Sequence, residues 1–373
     1  TLYHLIFIVK IKNIMKVCVL GSGLASLTLA KGLINLGIKV ELISNQTGNN
    51  YDKSQTLGIS KSNIDFFNKN IINIESLLWN INKIEIFSDN LNNEKILKFE
   101  NKKKQLFSII KNYELYNCLL SGLKKNKLFK IKKNKKVISS NNEYNLIINS
   151  EYNHPITKKL FYKKFSKSYN SYGHTTIIKH KKLPSNDTAI QIFTKKGPIA
   201  FLPISKSETS IVYSARGKKK IEKNELYKLI NEKLKKYEIK KINGFKSFEL
   251  KSLDLRNYYY ENILAFGDLL HRLHPLAGQG FNMTIRDTKI LLGLINFKIN
   301  LGIQLDSSIC SEFEKKAKAQ NYLFSNGIDF IYEFFNFESK TKTKLMSKSV
   351  QFLGKNKFIN KLFTKLADTG TLN

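Results

Sequence analysis

Residues 16–44 read KVCVLGSGLASLTLAKGLINLGIKVELIS, and the fold turns on how this stretch is read. Lys16 to Leu20 is a short apolar run suited to a buried parallel strand. Gly21-Ser22-Gly23 breaks it. From Leu24 to Leu36 apolar residues recur at helical spacing, Gly37 is a natural helix stop, and Ile38 to Ile43 reads as a second strand. A β-turn-α-β unit of about 30 residues is the size of a nucleotide-binding start. Gly21 permits the tight turn, Gly23 lets the backbone approach a pyrophosphate, and Ser26 is small enough for the helix to pack on the strand. The helix amino terminus then offers unpaired N–H groups and a positive dipole end to phosphates. A Gly-rich turn is also compatible with a plain turn; the strand before it and the helix after it favour the nucleotide site. The second strand ends Ile43-Ser44-Asn45, without the acid that usually serves ribose hydroxyls there. Ser44 or Asn45 is left as a weaker hydrogen-bonding substitute.

A second stretch, GDLLHRLHPLAGQGFN at 267–282, is more particular. Asn262 to Phe266 predicts a buried strand leading into it. Gly267 lets the chain turn, and Asp268 places a carboxylate at the strand's carboxyl end, where ligands sit in open α/β sheets. Such a carboxylate can accept hydrogen bonds from a polyhydroxylated chain. Pro275 stiffens the loop, and Gly278 and Gly280 remove side chains so that a flat ring can lie on the backbone around Gln279. Phe281 and Asn282 open a helix whose first N–H groups face back into the site and can stabilise negative charge on a reduced ring. His271 and His274 stand three apart, but no further ligand cluster accompanies them; packing or capping accounts for them better than a metal.

Composition bounds the rest. The chain has 373 residues, 42% hydrophobic and 12% aromatic, enough for two domains with sizeable cores. No stretch approaches the ~20 continuous apolar residues of a membrane span. Leu2 to Val9 is too short, and too poorly flanked, for a signal peptide. Met15 is a natural beginning for the first domain, so residues 1–14 read as an upstream extension. Cys18, Cys118 and Cys310 are widely spaced and odd in number, which suits a reducing cytoplasm. The net charge is +34, yet only four of the 63 basic residues are arginine. Abundant Lys, Asn and Ile together suggest an AT-rich genome rather than a nucleic-acid site, which favours Arg. An anionic membrane surface stays open. Near the end, Phe358, Ile359, Leu362, Phe363 and Leu366 share a helical face with lysines opposite; that face reads equally as membrane-binding or as packing on the first domain.

Along the chain, NKIEIFSDNLNNEKILKF predicts a hairpin, Glu114 to Leu123 a helix, and Tyr144 to Asn149 a buried strand. From about 155 to 255 strands and turns dominate, and after Asn282 the chain is essentially helical. Residues 15–75, 100–150 and 255–300 are expected to form a discontinuous nucleotide-binding domain. Residues 76–99 and 151–254 are expected to form a β-rich substrate domain, and 301–373 a C-terminal helical region.

GDLLHRLHPLAGQGFNMTIRD resembles the second flavin-binding motif of the FAD-dependent aromatic hydroxylases, closest to the branch acting in ubiquinone biosynthesis. GSGLAS resembles the family's first dinucleotide turn. INKIEIFSD, KGPIAFLPI and FEKKAKAQNYLFSNGIDFIYEFF resemble further segments in order, from about Met15 to beyond Phe335. The resemblance implies an α/β fold: a Rossmann-like FAD-binding domain similar to that of para-hydroxybenzoate hydroxylase, an inserted antiparallel β substrate domain, and C-terminal helices. It implies that Gly21, Gly23 and Ser26 touch the FAD pyrophosphate, that Gly267 and Asp268 serve the ribityl chain, and that Pro275, Gly278, Gln279 and Gly280 border the isoalloxazine. It implies NAD(P)H as reductant, O2 adding at flavin C4a to give a hydroperoxide, and a polyprenylated phenol or quinol as substrate. No catalytic dyad and no metal are expected. Tyr172 and the aromatic strands near Phe193 and Phe201 either line the substrate side or are core. The implied setting is cytoplasmic, peripheral on the inner membrane, beside other quinone-biosynthesis proteins and without nucleic acid. The family's middle Asp-Gly motif aligns with Glu151 and Tyr152, and its FAD-contacting Arg with Tyr113. These departures keep two alternatives open: a catalytically impaired flavoprotein-like scaffold subunit, and a flavin-dependent isoprenoid reductase.

Overall fold

The computed structural model describes residues 15–44, 53–91, 94–100, 105–133, 143–234, 237–275, 278–341 and 344–356, together with residues 365 and 368. The apolar face at 358–366 and the alternative ribose contact Asn45 lie outside the described residues.

The expected opening unit is present: β1 (Lys16–Leu20), α1 (Leu24–Asn35) and β2 (Lys39–Ile43), with the two strands parallel. β3 (Thr56–Ser60) and α2 (Lys61–Asn70) follow, then β4 (Trp79–Ile81), β5 (Lys83–Ser88), β6 (Lys95–Glu100) and β7 (Phe107–Lys111). The chain continues through α3 (Asn112–Lys124), β8 (Phe129–Lys132), β9 (Leu146–Asn149) and the short α4 (Pro155–Leu160). Next come β10 (Lys164–His180), β11 (Thr188–Thr194), β12 (Gly197–Pro203), β13 (Glu208–Arg216), α5 (Lys223–Lys233) and β14 (Ile239–Leu255). β15 (Tyr259–Tyr260), β16 (Ile263–Ala265) and β17 (His271–Arg272) lead into α6 (Gly280–Asn300), α7 (Ser308–Thr341) and α8 (Leu345–Lys355).

Two large sheets organise these elements. One runs β15-β16-β9-β1-β2-β8 and is parallel through β16, β9, β1, β2 and β8. Its central strands β1, β9 and β16 are buried on both faces, so they read as continuous apolar runs: Val17 to Leu20, Leu146 to Ile148 and Ile263 to Ala265 are all buried. The other runs β17-β14-β10-β13-β12-β11-β5-β6 and is antiparallel except where β11 meets β5. The predicted β5–β6 hairpin thus joins the strands of 164–255. A third, small sheet, β3-β7-β4, packs against both: Ile81 and Ile109 share a core with Ile177 and Ala189 of the eight-stranded sheet, and Ile59 and Ile110 belong to the core of the parallel sheet.

Helix α7 ties the layers together. At 34 residues it is about 51 Å long. Its first half buries Ile309, Cys310, Phe313 and Ala317 in the core of the parallel sheet. Its second half buries Ile328, Tyr332 and Phe335 against the eight-stranded sheet, beside Tyr169, Phe193 and Leu250. The buried positions recur every three or four residues, so one face of a single helix packs on both bodies. On the remaining face of that sheet, Leu226 and Ile230 of α5 cover Ile199, Phe201 and Ile211. Phe201 is therefore core, and Phe193 stacks on Phe335 with ring centroids 3.7 Å apart; only Tyr172 of the three aromatic candidates is half-buried.

Candidate functional site

The two glycine-rich stretches meet. Gly21 has φ +108°, and a Cβ there would stand 2.7 Å from the Ser150 hydroxyl, so the turn requires glycine. Ser26 is fully buried and its hydroxyl bonds that of Ser150, just past the end of β9, so a small polar residue holds α1 against the sheet. Gly267 has φ +66°, and a Cβ on it would come within 2.7 Å of the Ala25 side chain. The loop after β16 therefore lies directly on the first turn of α1. Asp268, the next residue, is exposed there.

The amino termini of α1 and α6 are open. Neither N-cap, Gly23 or Gln279, supplies a side-chain cap, and neither first turn carries an acid. Such ends favour an anionic ligand, to which the leading N–H groups of a helix point. Gly278 has φ +63° and approaches the backbone of Gly58 in β3. Among the described residues outside its own turn, a Cβ on Gly280 would meet nothing within 4 Å.

The side chains of the loop have structural partners. Asn282 is buried and clamps α6 to the small sheet: its amide donates to the Gly58 carbonyl (2.9 Å), and its oxygen accepts from Ser60 N–H (3.0 Å) and Asn63 (2.9 Å). Phe281 belongs to the core of the parallel sheet. Arg286, which the sequence did not single out, donates to the Gln279 side chain (3.4 Å) and the Asn282 carbonyl (3.2 Å) and lies 4.3 Å over the Phe324 ring. Burial pulls its guanidinium down to about 10, so it remains charged at neutral pH. Next to this clamp, the Asp368 carboxylate accepts from Ser62 N–H at the start of α2 (2.9 Å), and its carbonyl accepts from the Ser60 hydroxyl (2.9 Å).

The two histidines diverge. His274 stacks on Tyr332 at 4.1 Å and meets Tyr169 edge-on, and burial holds it neutral at about 3. This is packing, as expected. His271 is different: its Nε2 lies 2.6 Å from Asp287 of α6, and Asp287 also accepts from Asn321 of α7 (3.0 Å). Burial works to lower the His271 pKa, but the charge and hydrogen bond of Asp287, aided by Asp268 and Asp254, outweigh it and leave it raised. A buried ion pair therefore pins β17, and with it the loop beginning at Gly267, to both long helices. Among the described residues no cluster of His, Cys, Asp and Glu could hold a metal ion.

At the departures, the ring of Tyr152 has the Arg272 guanidinium 5.3 Å from its centre, and its hydroxyl accepts from Lys164 at 2.7 Å, which holds the phenol below its usual pKa. Tyr113 donates to Glu114 (2.9 Å) at the start of α3. Ser44 donates to Ser22 (3.0 Å), within the dinucleotide turn. β2 does carry an acid, Glu41, but it is tied to Lys16, Lys132 and Tyr144. Burial opposes these contacts, yet they bring Glu41 down to about 2.

Residues 164–297 match the family model of an FAD binding domain. Among solved structures, p-nitrophenol 4-monooxygenase from Pseudomonas putida superposes with a TM-score of 0.77 at 11% identity, covering 95% of this chain and 98% of that one. HpxO from Klebsiella pneumoniae, solved with FAD and uric acid, gives 0.73 at 11% identity over 96% and 98%. The fold is that of the FAD-dependent monooxygenases. Among curated proteins similar in sequence, 3-demethoxyubiquinol 3-hydroxylase of Escherichia coli is 26% identical over 157 residues, 40% of this chain and 40% of its own length. The chain spans less than half the length of the curated relatives it matches. The residues present fit FAD: helix ends without side-chain caps for the pyrophosphate, an exposed carboxylate for hydroxyls, and at Gly280 a backbone without a side chain where a ring could approach.

Proposed function

We propose that this chain is an FAD-dependent monooxygenase that hydroxylates the aromatic ring of a polyprenylated phenol, with NAD(P)H as reductant and O2 as oxidant, in ubiquinone biosynthesis. One observation supports the reading: a Cβ on Gly267 would come within 2.7 Å of Ala25, so the second glycine-rich stretch lies on the first turn of α1, the helix that the first stretch opens. Bound FAD would supply the redox chemistry, taking reducing equivalents from NAD(P)H and activating O2 for transfer to the ring.

The chain's own residues bind and orient. Leading N–H groups of α1 would hold the pyrophosphate, and Asp268 would accept from ribityl hydroxyls. The α6 terminus would face the ring near Gly278 and Gly280 and stabilise negative charge on it. Asn282 and Arg286 fix that terminus against β3 and α7, so its dipole keeps one direction. The eight-stranded sheet would supply the wall on which a substrate is positioned.

The assay is NAD(P)H oxidation by the purified, FAD-loaded protein with and without a prenylated phenol, followed by product mass. Substrate-stimulated oxidation and a product heavier by one oxygen support the reading; a product gaining hydrogen instead would favour the isoprenoid reductase. The scaffold reading rests on Tyr152 between Lys164 and Arg272 where the family has Asp-Gly. A protein that binds FAD but is not reduced by NAD(P)H would favour it.

A further inference from the structure

Helix α7 presents an apolar stripe to solvent. Its buried residues define one face; Leu323, Phe330 and Phe337, spaced by seven, lie on the opposite side and are 71%, 68% and 56% exposed. Gly327 and the half-buried Phe334 fall between them, and Tyr322 and Ile331 flank the stripe, both exposed. From Leu323 to Phe337 the stripe runs about 21 Å. Surface helices normally turn charges outward. Here, in a chain of net charge +34, no Lys or Arg lies between Lys318 and Lys340. Glu333, the acid nearest the stripe on that stretch, is held by Lys167 at 2.8 Å, and Asp329 bonds the Tyr169 hydroxyl. Lysines gather at both ends instead: Lys315 and Lys316 before the stripe, Lys340, Lys344 and Lys348 after it, all exposed.

We propose that this face of α7 docks on an anionic lipid bilayer. The apolar side chains would enter the headgroup–acyl boundary, and the lysines at either end would reach the phosphates. Charge decides between occupants. A second copy laid on the stripe, parallel or antiparallel, sets lysine against lysine at both ends and joins two chains of +34. An anionic bilayer offers the opposite sign over the whole footprint. The stripe and its flanking lysines are independent of the hydroxylase reading, although a bilayer is also where a polyprenylated ring would reside.

The test is co-sedimentation of the full chain with vesicles of phosphatidylcholine alone, or mixed with phosphatidylglycerol, comparing wild type with Leu323→Ser/Phe330→Ser/Phe337→Ser. Outward-facing positions leave the core intact, so the variant should keep its circular dichroism and FAD content. Wild type should partition to anionic vesicles and release with salt, and the triple variant should partition at least about tenfold less, since each lost contact removes a sizeable part of a buried side chain's transfer energy. Equal binding by wild type and variant would overturn the proposal, as would no binding by wild type. A concentration-dependent dimer that the variant abolishes while lipid binding is unchanged would assign the face to a second copy. FAD content read on the same samples separates failure of docking from failure of the flavin reading.

Discussion

Gly267 and Gly280 close the two ends of one loop and do different jobs. Gly267 combines a left-handed φ with contact against Ala25, so Gly267→Ala is expected to cost about 1–3 kcal/mol of stability, read by denaturant unfolding. Gly280 has an ordinary backbone, and among the described residues outside its own turn a Cβ on it would meet nothing within 4 Å. Gly280→Leu should therefore leave the melting temperature nearly unchanged while weakening FAD binding at least about tenfold, because the side chain would fill the space kept for the ring. Loss of both together would mean that Gly280 is structural. Asn282 is the converse case: three buried hydrogen bonds converge on its amide, and Asn282→Ala should destabilise by about 2 kcal/mol or more, with FAD lost only as the fold loosens.

Among elements, the His271–Asp287 pair joins β17 to α6, and Asn321 extends it to α7. The folded-state pKa of His271 is raised above its unfolded value, so the pair's stabilisation is complete below about pH 6.5 and fades as pH rises through the folded value. The melting-temperature gap between wild type and Asp287→Asn should be largest in mildly acidic buffer and shrink as the buffer becomes alkaline. A gap that stays constant across that range would show His271 neutral throughout. Sequence spacing does not reveal this pair, because β17 and α6 meet only through the turn of the loop between them. A buried acid in the middle of an otherwise apolar helix face was the available signal.

Over the whole molecule, the legible parts were those whose chemistry is local. The β1–α1–β2 unit, the β5–β6 hairpin and the strand before Gly267 follow from apolar periodicity and glycine placement, and the structure forms all three. The contacts that fix the site are long-range and were not legible: Ser26 with Ser150, Gly267 with Ala25, Asn282 with Gly58, Arg286 with Phe324. Nothing in the residue pattern says which distant backbone a buried Asn will clamp. Aromatic strands also look alike whether they line a cavity or fill a core, and Phe193 and Phe201 proved to be core. The double role of α7, bridging two cores on one face and bare on the other, needed the packing partners of each residue to be known. Among the described residues no helix is long and apolar enough to cross a membrane.

The most direct measurement is titration of the purified chain with FAD, followed by flavin absorbance and fluorescence, for wild type and Gly280→Leu side by side. One equivalent bound to the wild type, with a perturbed flavin spectrum that the variant lacks despite an unchanged fold, is the predicted result. A wild-type chain that is well folded and leaves FAD free in solution would contradict it.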